Sequence, residues 1–400
     1  MNTQEHLKLV EQYSAANYHP LPIVLTRGEG AWVWDIDGNK YLDCLSSYSA
    51  LNQGHRHPKI IEALRTQSEK MTLTSRAFHN DQMGVFLKKL CELCEMEMAL
   101  PMNTGVEAVE TVIKTARKWG YLHKKIPKDK AEIIVCNHNF HGRTTTVVGF
   151  SSEPQYREGF GPFAPGFKLI DYGNLEQLEK AITSNTAAFL VEPIQGEAGI
   201  LIPPQGYLTE ARKICQKNKV LFILDEIQTG LGRTGKLFCY QYEKNAKPDL
   251  LVLGKALGGG VYPVSAVVSS KEILGVFKPG DHGSTFGGNP LASAVGITSL
   301  DVLVDEKLPE NSFETGEILL EELRKIKSHH VQETRGKGLM IGVEIKIASG
   351  PARPFCDQLM KLGLLAKETH GQVIRLSPPL NIQKKEIHFI LEKMNAVLSK

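Results

Sequence analysis

The sequence predicts an α/β fold, in which helices wrap a mostly parallel central sheet and a smaller α+β unit follows. Two observations support this prediction. From about residue 50, short apolar runs that are typical of buried strands alternate with helical stretches. After about residue 290, long helical stretches with a few further strands replace that alternation. The expected strands of the large sheet are 132–136, 187–191, 220–224, 250–253 and 264–269.

The first 49 residues predict a helix followed by a hairpin. Asn2 and Glu5 have the spacing of a capping box, which indicates a helix that reaches about residue 16. Pro20 and Pro22 then favour extended chain. Two β-prone arms surround an Asp-Gly turn within 32–43, the pattern of a hairpin. We expect this segment, 1–49, to pack with the small C-terminal domain.

The remaining chain is predicted to form a large and a small domain. Helical patterns over 106–121 and 208–217 lie between the expected strands of a large domain, 50–290. The small domain, 291–400, is expected to contain helices from about 291 and over 313–326. Its expected strands are 338–345 and 372–376.

Composition argues against several functional classes. The chain has 400 residues, a formal net charge of +3 and no basic block, so a nucleic-acid partner is not expected. No apolar stretch approaches the roughly 18 residues of a membrane-spanning helix. The N-terminus has no pattern of a targeting leader, so we expect a cytoplasmic protein without a membrane partner. Seven cysteines, an odd number, fit reduced thiols.

Two short pairs are similar to halves of metal-binding motifs. Cys91 and Cys94 lie in an apolar helical pattern, where packing against the core is the simpler role. His138 and His141 have helical spacing, but no third ligand is visible in the sequence. The sequence therefore predicts no metal site.

Two apolar runs lead into the polar groups that one cofactor needs. The run 221–224 precedes Asp225, and the run 250–253 precedes Gly254 and Lys255. In open α/β sheets, ligands bind beyond the carboxyl ends of such strands. Pyridoxal phosphate requires a lysine for its Schiff base and an acid for its pyridine nitrogen. The pair therefore predicts a pyridoxal-phosphate enzyme, although an isolated Asp225 could instead cap a helix.

Further residues could contact such a cofactor. Gly105 and Val106 precede a helical pattern, and the N–H groups at a helix start can bind a phosphate. Ser284 and Thr285 offer hydroxyl groups in a glycine-rich loop. Phe140 follows an expected strand and could stack on a planar ring or pack in the core.

Several phrases resemble the class-III aminotransferases, which have the fold-type I architecture of pyridoxal-phosphate-dependent transferases. The resemblance implies that Lys255 forms the Schiff base and that Asp225 contacts the pyridine nitrogen. It also implies that the protein is a homodimer, or a higher oligomer of dimers. The phrases are Val-Glu-Pro-Ile-Gln-Gly-Glu-Ala-Gly at 191–199, Leu-Asp-Glu-Ile-Gln-Thr-Gly at 224–230 and Leu-Gly-Lys-Ala-Leu-Gly-Gly-Gly at 253–260.

The same resemblance implies the other contacts to the cofactor. Gln228 is expected to bind the phenolic oxygen of the ring, and Phe140 to stack on the ring. The phosphate is expected to bind to the N–H groups of Gly105 and Val106. We also expect Ser284 and Thr285 of the other subunit to contact this phosphate.

Three more phrases resemble the family members that use L-ornithine and 2-oxoglutarate. Those members transfer the δ-amino group by a ping-pong mechanism and produce L-glutamate 5-semialdehyde and L-glutamate. The alternatives are members that act on N-acetylornithine or another ω-amino acid, an aminomutase or racemase, and a non-catalytic binding protein. The phrases are Asn-Tyr-His-Pro-Leu-Pro at 17–22, Ser-Ser-Tyr-Ser-Ala-Leu-Asn-Gln-Gly-His at 46–55 and Thr-His-Gly at 369–371.

This resemblance also implies how the substrates bind. Tyr18 and Arg143 are expected to hold the α-carboxylate of ornithine, and Tyr48 to select the length of the substrate. Arg375 is expected to bind the α-carboxylate of glutamate or 2-oxoglutarate, while Arg143 takes the distal carboxylate. Glu197 is expected to pair with Arg375 while ornithine is bound. The planar guanidinium group suits both arginines to bidentate carboxylate binding.

Overall fold

The strands form three sheets in the computed structural model, which describes residues 1–399. In chain order they are β1 (Leu25–Glu29), β2 (Trp32–Asp35), β3 (Lys40–Asp43), β4 (Met98–Met102), β5 (Glu132–Cys136), β6 (Phe167–Ile170), β7 (Thr186–Val191), β8 (Leu221–Asp225), β9 (Leu250–Leu253), β10 (Ser265–Ser269), β11 (Val331–Lys337), β12 (Met340–Ile345), β13 (Leu364–Leu365), β14 (Lys367–Thr369) and β15 (Val373–Leu376).

The helices lie before, between and after these strands. The α-helices are α1 (Thr3–Tyr13), α2 (Ser46–Ser49), α3 (Pro58–Ser68), α4 (Met83–Cys94), α5 (Gly105–Leu122), α6 (Thr145–Gly149), α7 (Pro154–Arg157), α8 (Leu175–Ala181), α9 (Tyr207–Lys217), α10 (Lys271–Leu274), α11 (Pro290–Asp305), α12 (Leu308–Lys325), α13 (Arg353–Lys361) and α14 (Lys384–Leu398). Short 3-10 helices occur at Cys239–Tyr242, Lys255–Gly258 and Ile347–Ser349.

A seven-stranded sheet in the order β4-β10-β9-β8-β7-β5-β6 forms the centre of the protein. Strands β5 to β9 pair in parallel, whereas β10 is antiparallel to both β4 and β9. Successive residues of β8 enter two apolar clusters: Phe222 belongs to the cluster that includes Leu208 of α9, and Ile223 belongs to the one that includes Val112 of α5. Because side chains alternate along a strand, these clusters cover opposite faces of the sheet. The predicted mostly parallel sheet wrapped by helices is confirmed.

The sequence located the inner strands better than the edge strands. All five predicted strands occur, and each begins and ends within one residue of the prediction. The prediction missed β4 and β6, which lie at the two edges of the sheet. Both edge strands are partly exposed: Lys168 interrupts the apolar run of β6, and β4, although apolar, contains Pro101, which is unfavourable inside a strand.

The ends of the chain meet in the smaller sheets. The predicted hairpin is present as the antiparallel pair β2–β3, and β3 pairs with β13, where Leu42 lies opposite Leu364. This pairing is what the predicted packing of 1–49 against the small domain requires, while the division into 1–49, 50–290 and 291–400 stays a prediction. Strands β11, β12, β15 and β14 form an antiparallel sheet.

Local predictions at the N-terminus and for the cysteines also have clear outcomes. The Asn2 side chain accepts from the N–H of Glu5, and the Glu5 side chain accepts from the N–H of Asn2, so the capping box is confirmed. The helix ends at Tyr13 rather than near residue 16.

All seven cysteines are free thiols, and all except Cys91 are buried. No helix within residues 1–399 has both the length and the apolar character needed to cross a bilayer.

Candidate active site

A cavity of about 290 Å³ lies beyond the carboxyl ends of β5, β7, β8 and β9. Because these strands are parallel neighbours, the loops that follow them meet at one edge of the sheet. The cavity is close to the lower limit of volume for small-molecule sites. It brings together eight of the predicted site residues: Gly105, Val106, Phe140, Arg143, Glu197, Asp225, Gln228 and Lys255.

Lys255 supplies an amine to this cavity from the end of β9. It has a φ of 44° and begins a short 3-10 helix. Burial lowers the pKa of Lys255 below its ordinary value, although the carboxylates of Glu197 and Asp225 partly oppose this shift. A lowered pKa increases the fraction of neutral amine, which is the nucleophilic form.

Asp225 is the last residue of β8 and is held by two hydrogen bonds. Its Oδ1 accepts from the N–H of Ile227 at 3.0 Å, and its Oδ2 accepts from Nδ1 of buried His141 at 2.7 Å. Burial alone would lower the pKa of His141, but the hydrogen bond and charge of Asp225 raise it above its ordinary value. A protonated imidazole in turn places a positive charge beside the Asp225 side chain. The helix-cap alternative for Asp225 does not apply, since no helix begins directly after it within the described residues.

The sequence did not reveal His141 or Glu192 as members of the site. His141 was considered only as a metal ligand with His138, yet it contacts Asp225 from a position 84 residues away. Glu192 lines the same cavity and accepts from the N–H of Phe140 at 3.1 Å. Burial raises the pKa of Glu192 to about 8, although the charge of His141 opposes the shift. Their position in the sequence could have identified both as site residues, because each follows the carboxyl end of an inner strand.

The start of α5 forms the anion-binding end of the cavity. The side chain of Thr104 accepts from the N–H of Glu107, and Glu107 accepts in return from the N–H of Thr104. The N–H groups of Gly105 and Val106 lie in the first turn of α5, where no preceding turn offers them an intrahelical acceptor, and both residues line the cavity. A Cβ atom at Gly105 would lie 3.0 Å from Cδ1 of Ile227, so glycine permits this close approach.

Ser284 and Thr285 do not line this cavity in the single chain. The Oγ of Ser284 accepts from Nδ2 of Asn103 at 2.8 Å, and Thr285 is exposed. The Ser284 side chain therefore lies one residue from the cap of α5, and the expected contact from a second subunit stays a prediction.

A larger pocket of about 890 Å³ adjoins the first cavity and shares Phe140, Arg143 and Glu197 with it. Its wall also contains the other three predicted substrate residues, which are Tyr18, Tyr48 and Arg375. All thirteen predicted residues except Ser284 and Thr285 therefore line one of two adjoining spaces.

Glu197 and Arg375 form a buried ion pair between these spaces. Arg375 Nη1 lies 2.5 Å from Glu197 Oε1, and the Arg375 side chain is 2% exposed. The Glu197 side chain also accepts from Nε2 of Gln228 at 3.2 Å. Burial would raise the pKa of Glu197, but the positive charge of Arg375 holds that pKa below its ordinary value. The pair therefore remains ionised at neutral pH.

The second arginine of the pocket is available to an anion. Within residues 1–399, no carboxylate lies within 4.0 Å of Arg143 in an ion pair. Its guanidinium lies 3.9 Å from the ring centre of Tyr156, a residue that the sequence analysis did not identify. At this distance the positive charge of the guanidinium group is attracted to the face of the tyrosine ring by a cation–π interaction.

Tyr48 is positioned by an unusual turn. All four residues of α2, Ser46–Ser49, have positive φ angles, so this turn is left-handed. Such backbone costs about 1–2 kcal/mol per residue and is found mainly where function fixes it. The Tyr48 ring lies 5.0 Å from the guanidinium carbon of Arg375, and its carbonyl accepts from Gln228 at 3.3 Å. Tyr18 lies at the outer rim and is 69% exposed.

The chemistry of the first cavity fits pyridoxal 5′-phosphate. It offers a primary amine, a carboxylate supported by a histidine, an aromatic side chain and the free N–H groups of a helix start. The Nε2 atom of His141 is buried without a hydrogen-bond partner within the described residues. These groups match the amine, pyridine and phosphate requirements of that cofactor.

Comparison with known proteins agrees with this geometry. Residues 13–398 match the family model of class-III aminotransferases. An ornithine aminotransferase of Geobacillus sp. (strain WCH70) is 58% identical over 397 residues, which cover 99% of both chains.

Solved structures of aminotransferases are also similar. A Toxoplasma gondii ornithine aminotransferase structure with partial occupancy of PLP at its active site superposes with a TM-score of 0.98. It is 44% identical, and the match covers 100% of this chain and 94% of that one. An acetylornithine aminotransferase from Elizabethkingia anophelis has a TM-score of 0.90 and 45% identity, with coverage of 100% and 99%.

Proposed function

We propose that this chain, which belongs to the class-III aminotransferases, transfers the δ-amino group of L-ornithine to 2-oxoglutarate. The products are L-glutamate 5-semialdehyde and L-glutamate. The observation that carries this proposal is the arrangement of two arginines in one pocket, of which Arg375 is paired with Glu197 and Arg143 has no carboxylate partner within residues 1–399. Relatives with this activity, such as that of Geobacillus, support it.

The cofactor is pyridoxal 5′-phosphate, which supplies an electron sink and carries the amino group between the two substrates. We assign Lys255 to its carbonyl carbon, Asp225 to its pyridine nitrogen and Gln228 to its phenolic oxygen. Phe140 would stack on the ring. The N–H groups of Gly105 and Val106 would bind its phosphate.

The ion pair of Glu197 and Arg375 determines which end of ornithine reacts. While Glu197 neutralises Arg375, we assign Arg143 and the exposed Tyr18 as the partners of the α-carboxylate of ornithine. This carboxylate therefore binds in the outer pocket, and the δ-amine extends towards Lys255. The Tyr48 ring beside Arg375 limits the length of chain that fits.

The second half-reaction needs the opposite state of this pair. Once Glu197 moves away, Arg375 can bind the α-carboxylate of 2-oxoglutarate, while Arg143 binds the distal carboxylate. Lys255 would accept the proton from the substrate carbon and return it in the opposite direction, a general-base and general-acid role for which its lowered pKa is suited.

The direct test supplies the purified holoenzyme with L-ornithine and 2-oxoglutarate and traps the aldehyde product. We expect L-glutamate 5-semialdehyde and L-glutamate in equal amounts. The second candidate is N-acetylornithine, because an acetylornithine aminotransferase is 45% identical. A higher kcat/KM for N-acetylornithine than for ornithine would favour that activity instead.

Replacing Glu197 by glutamine is expected to change the regiochemistry. The amide keeps the size of the side chain but no longer neutralises Arg375, which can then bind the α-carboxylate of ornithine and present the α-amine. We expect the ratio of α- to δ-transfer to rise by about 10-fold or more, since even 1.4 kcal/mol of altered binding gives that factor. Mass spectrometry of the two keto products measures this ratio.

The control for this substitution is Glu197→Asp, which retains the charge. It should retain more δ-transfer than Glu197→Gln at equal protein stability. An unaltered product ratio in Glu197→Gln would contradict the masking role of Glu197.

We further propose a homodimer in which Ser284 and Thr285 reach the phosphate of the other subunit. Thr285 is exposed and Phe286 is 47% exposed, which is expected of a loop that contacts another chain. A cavity of about 400 Å³, lined by Asn103, Gly105 and Lys255 among others, lies next to the start of α5 and supports an approach from that side.

A further inference from the structure

His138, Glu153 and His370 form a cluster at the wall of the larger pocket. One nitrogen of each histidine and one carboxylate oxygen of Glu153 all lie within 4.8 Å of one another. Nδ1 of His138 lies 3.2 Å from Oε1 of Glu153, and the two imidazole rings are 5.7 Å apart at their centres. The cluster is distinct from the pair His138 and His141 considered from the sequence, because His141 contacts Asp225 instead.

The three side chains come from separate parts of the chain. His138 follows β5, Glu153 precedes α7, and His370 lies in the turn between β14 and β15. Both histidines have positive φ angles, 61° and 49°. Within residues 1–399, Glu153 is the only hydrogen-bond partner of the His138 ring, and the His370 ring has none.

We propose that these three residues bind a first-row divalent cation of the Zn²⁺ type. Two imidazoles and one carboxylate are a common set of three protein ligands for Zn²⁺, and this set leaves a fourth position open. Ligand atoms of a tetrahedral site must lie about 2.0–2.2 Å from the metal, so the side chains need to close by rotation. They can do so because His138 and His370 are exposed and Glu153 is half-buried.

The site would act as an inhibitory clamp on the substrate pocket. It would join the turn that contains His370 to the loops that contain His138 and Glu153. The pocket also contains Tyr18 and Arg143, to which we assign the α-carboxylate of ornithine. The bound cation, with its open fourth position, would compete with Arg143 for that carboxylate or block its entry. The inhibition, although not the binding, rests on the proposed function.

The binding test uses tag-free holoenzyme and isothermal titration with Zn²⁺, together with the visible absorption of added Co²⁺. We expect one equivalent per chain. Loss of an outer-shell partner typically weakens metal binding 10- to 100-fold, so removal of a ligand in His370→Ala should weaken it by about 100-fold or more. Glu153→Gln serves as the second ligand variant, and His329→Ala, which removes an exposed histidine outside the cluster, should bind like the unaltered protein.

The functional arm measures initial rates at a buffered concentration of free Zn²⁺, so that chelation by the amino acid does not change it. We expect Zn²⁺ to raise the KM for ornithine several-fold in the unaltered protein and in His329→Ala, but not in His370→Ala. Equal affinity in His370→Ala, Glu153→Gln and the unaltered protein would overturn the ligand set. Binding that leaves the KM unchanged would overturn the clamp, and an absence of turnover without Zn²⁺ would contradict the proposed function alone.

Discussion

Replacing Lys255 by alanine is expected to lower turnover with ornithine and 2-oxoglutarate by at least about 10³-fold. In the roles proposed for Lys255, the substitution removes the amine that would attach the cofactor and the group that would transfer the proton, and proton transfer by a placed side chain alone contributes about 10²–10⁴-fold. Steady-state kinetics measure this loss. Borohydride treatment followed by intact-mass measurement should show covalent cofactor on the unaltered protein and none on Lys255→Ala.

Lys255→Arg is the matched variant for the charge of this residue. It retains a cation among Glu197 and Asp225 but not a nucleophilic amine, so it should be as inactive as Lys255→Ala. If Lys255→Ala still gave a borohydride-fixed cofactor, another residue would have to supply the amine.

Replacing Asp225 by asparagine is expected to lower turnover by about 10²-fold or more. In its proposed role the carboxylate keeps the pyridine nitrogen protonated, and a loss of about 2.7 kcal/mol of transition-state stabilisation corresponds to about 10²-fold in rate. Lys255 is unchanged in this variant, so the cofactor should still attach covalently. Asp301→Asn, which removes a carboxylate from the partly exposed ion pair with Lys89, should retain full turnover.

The same substitution should change how stability depends on pH. Asp225 raises the pKa of His141 in the folded protein above its value in the unfolded chain, which is about 6.5. The contact of protonated His141 with Asp225 therefore contributes its full stabilisation below that unfolded value. This contribution is lost as the pH rises through the pKa of His141 in the folded protein. We expect the difference in free energy of unfolding between the unaltered apoprotein and Asp225→Asn to decrease with rising pH in that range. A difference that stays constant with pH would contradict a charged His141 beside Asp225.

Part of the site could be predicted because it depends on local pattern. Asp225 ends one inner strand and Lys255 follows the next, and the pairing of Asp225 with Val252 across β8 and β9 confirms that these strands are neighbours. The segment that connects β8 to β9 contains the short 3-10 helix Cys239–Tyr242 and, within the described residues, no α-helix. Gly105 and Val106 were likewise evident from the signals of a helix start. The substrate residues came from resemblance alone, because no local pattern links Tyr18, Arg143 and Arg375.

By itself, the sequence determined the α/β class, the inner strands and the capped N-terminal helix, and it predicted the attachment of a cofactor between Asp225 and Lys255. These features depend on the alternation of apolar residues and on turn chemistry, which act over a few neighbouring positions. Only the tertiary structure decided the contact of His141 with Asp225 and the cluster of His138 with Glu153 and His370, whereas the ion pair of Glu197 with Arg375 was already expected from the family resemblance. Such contacts join residues far apart in the chain, and the order of the strands and the backbone of the loops fix which side chains meet.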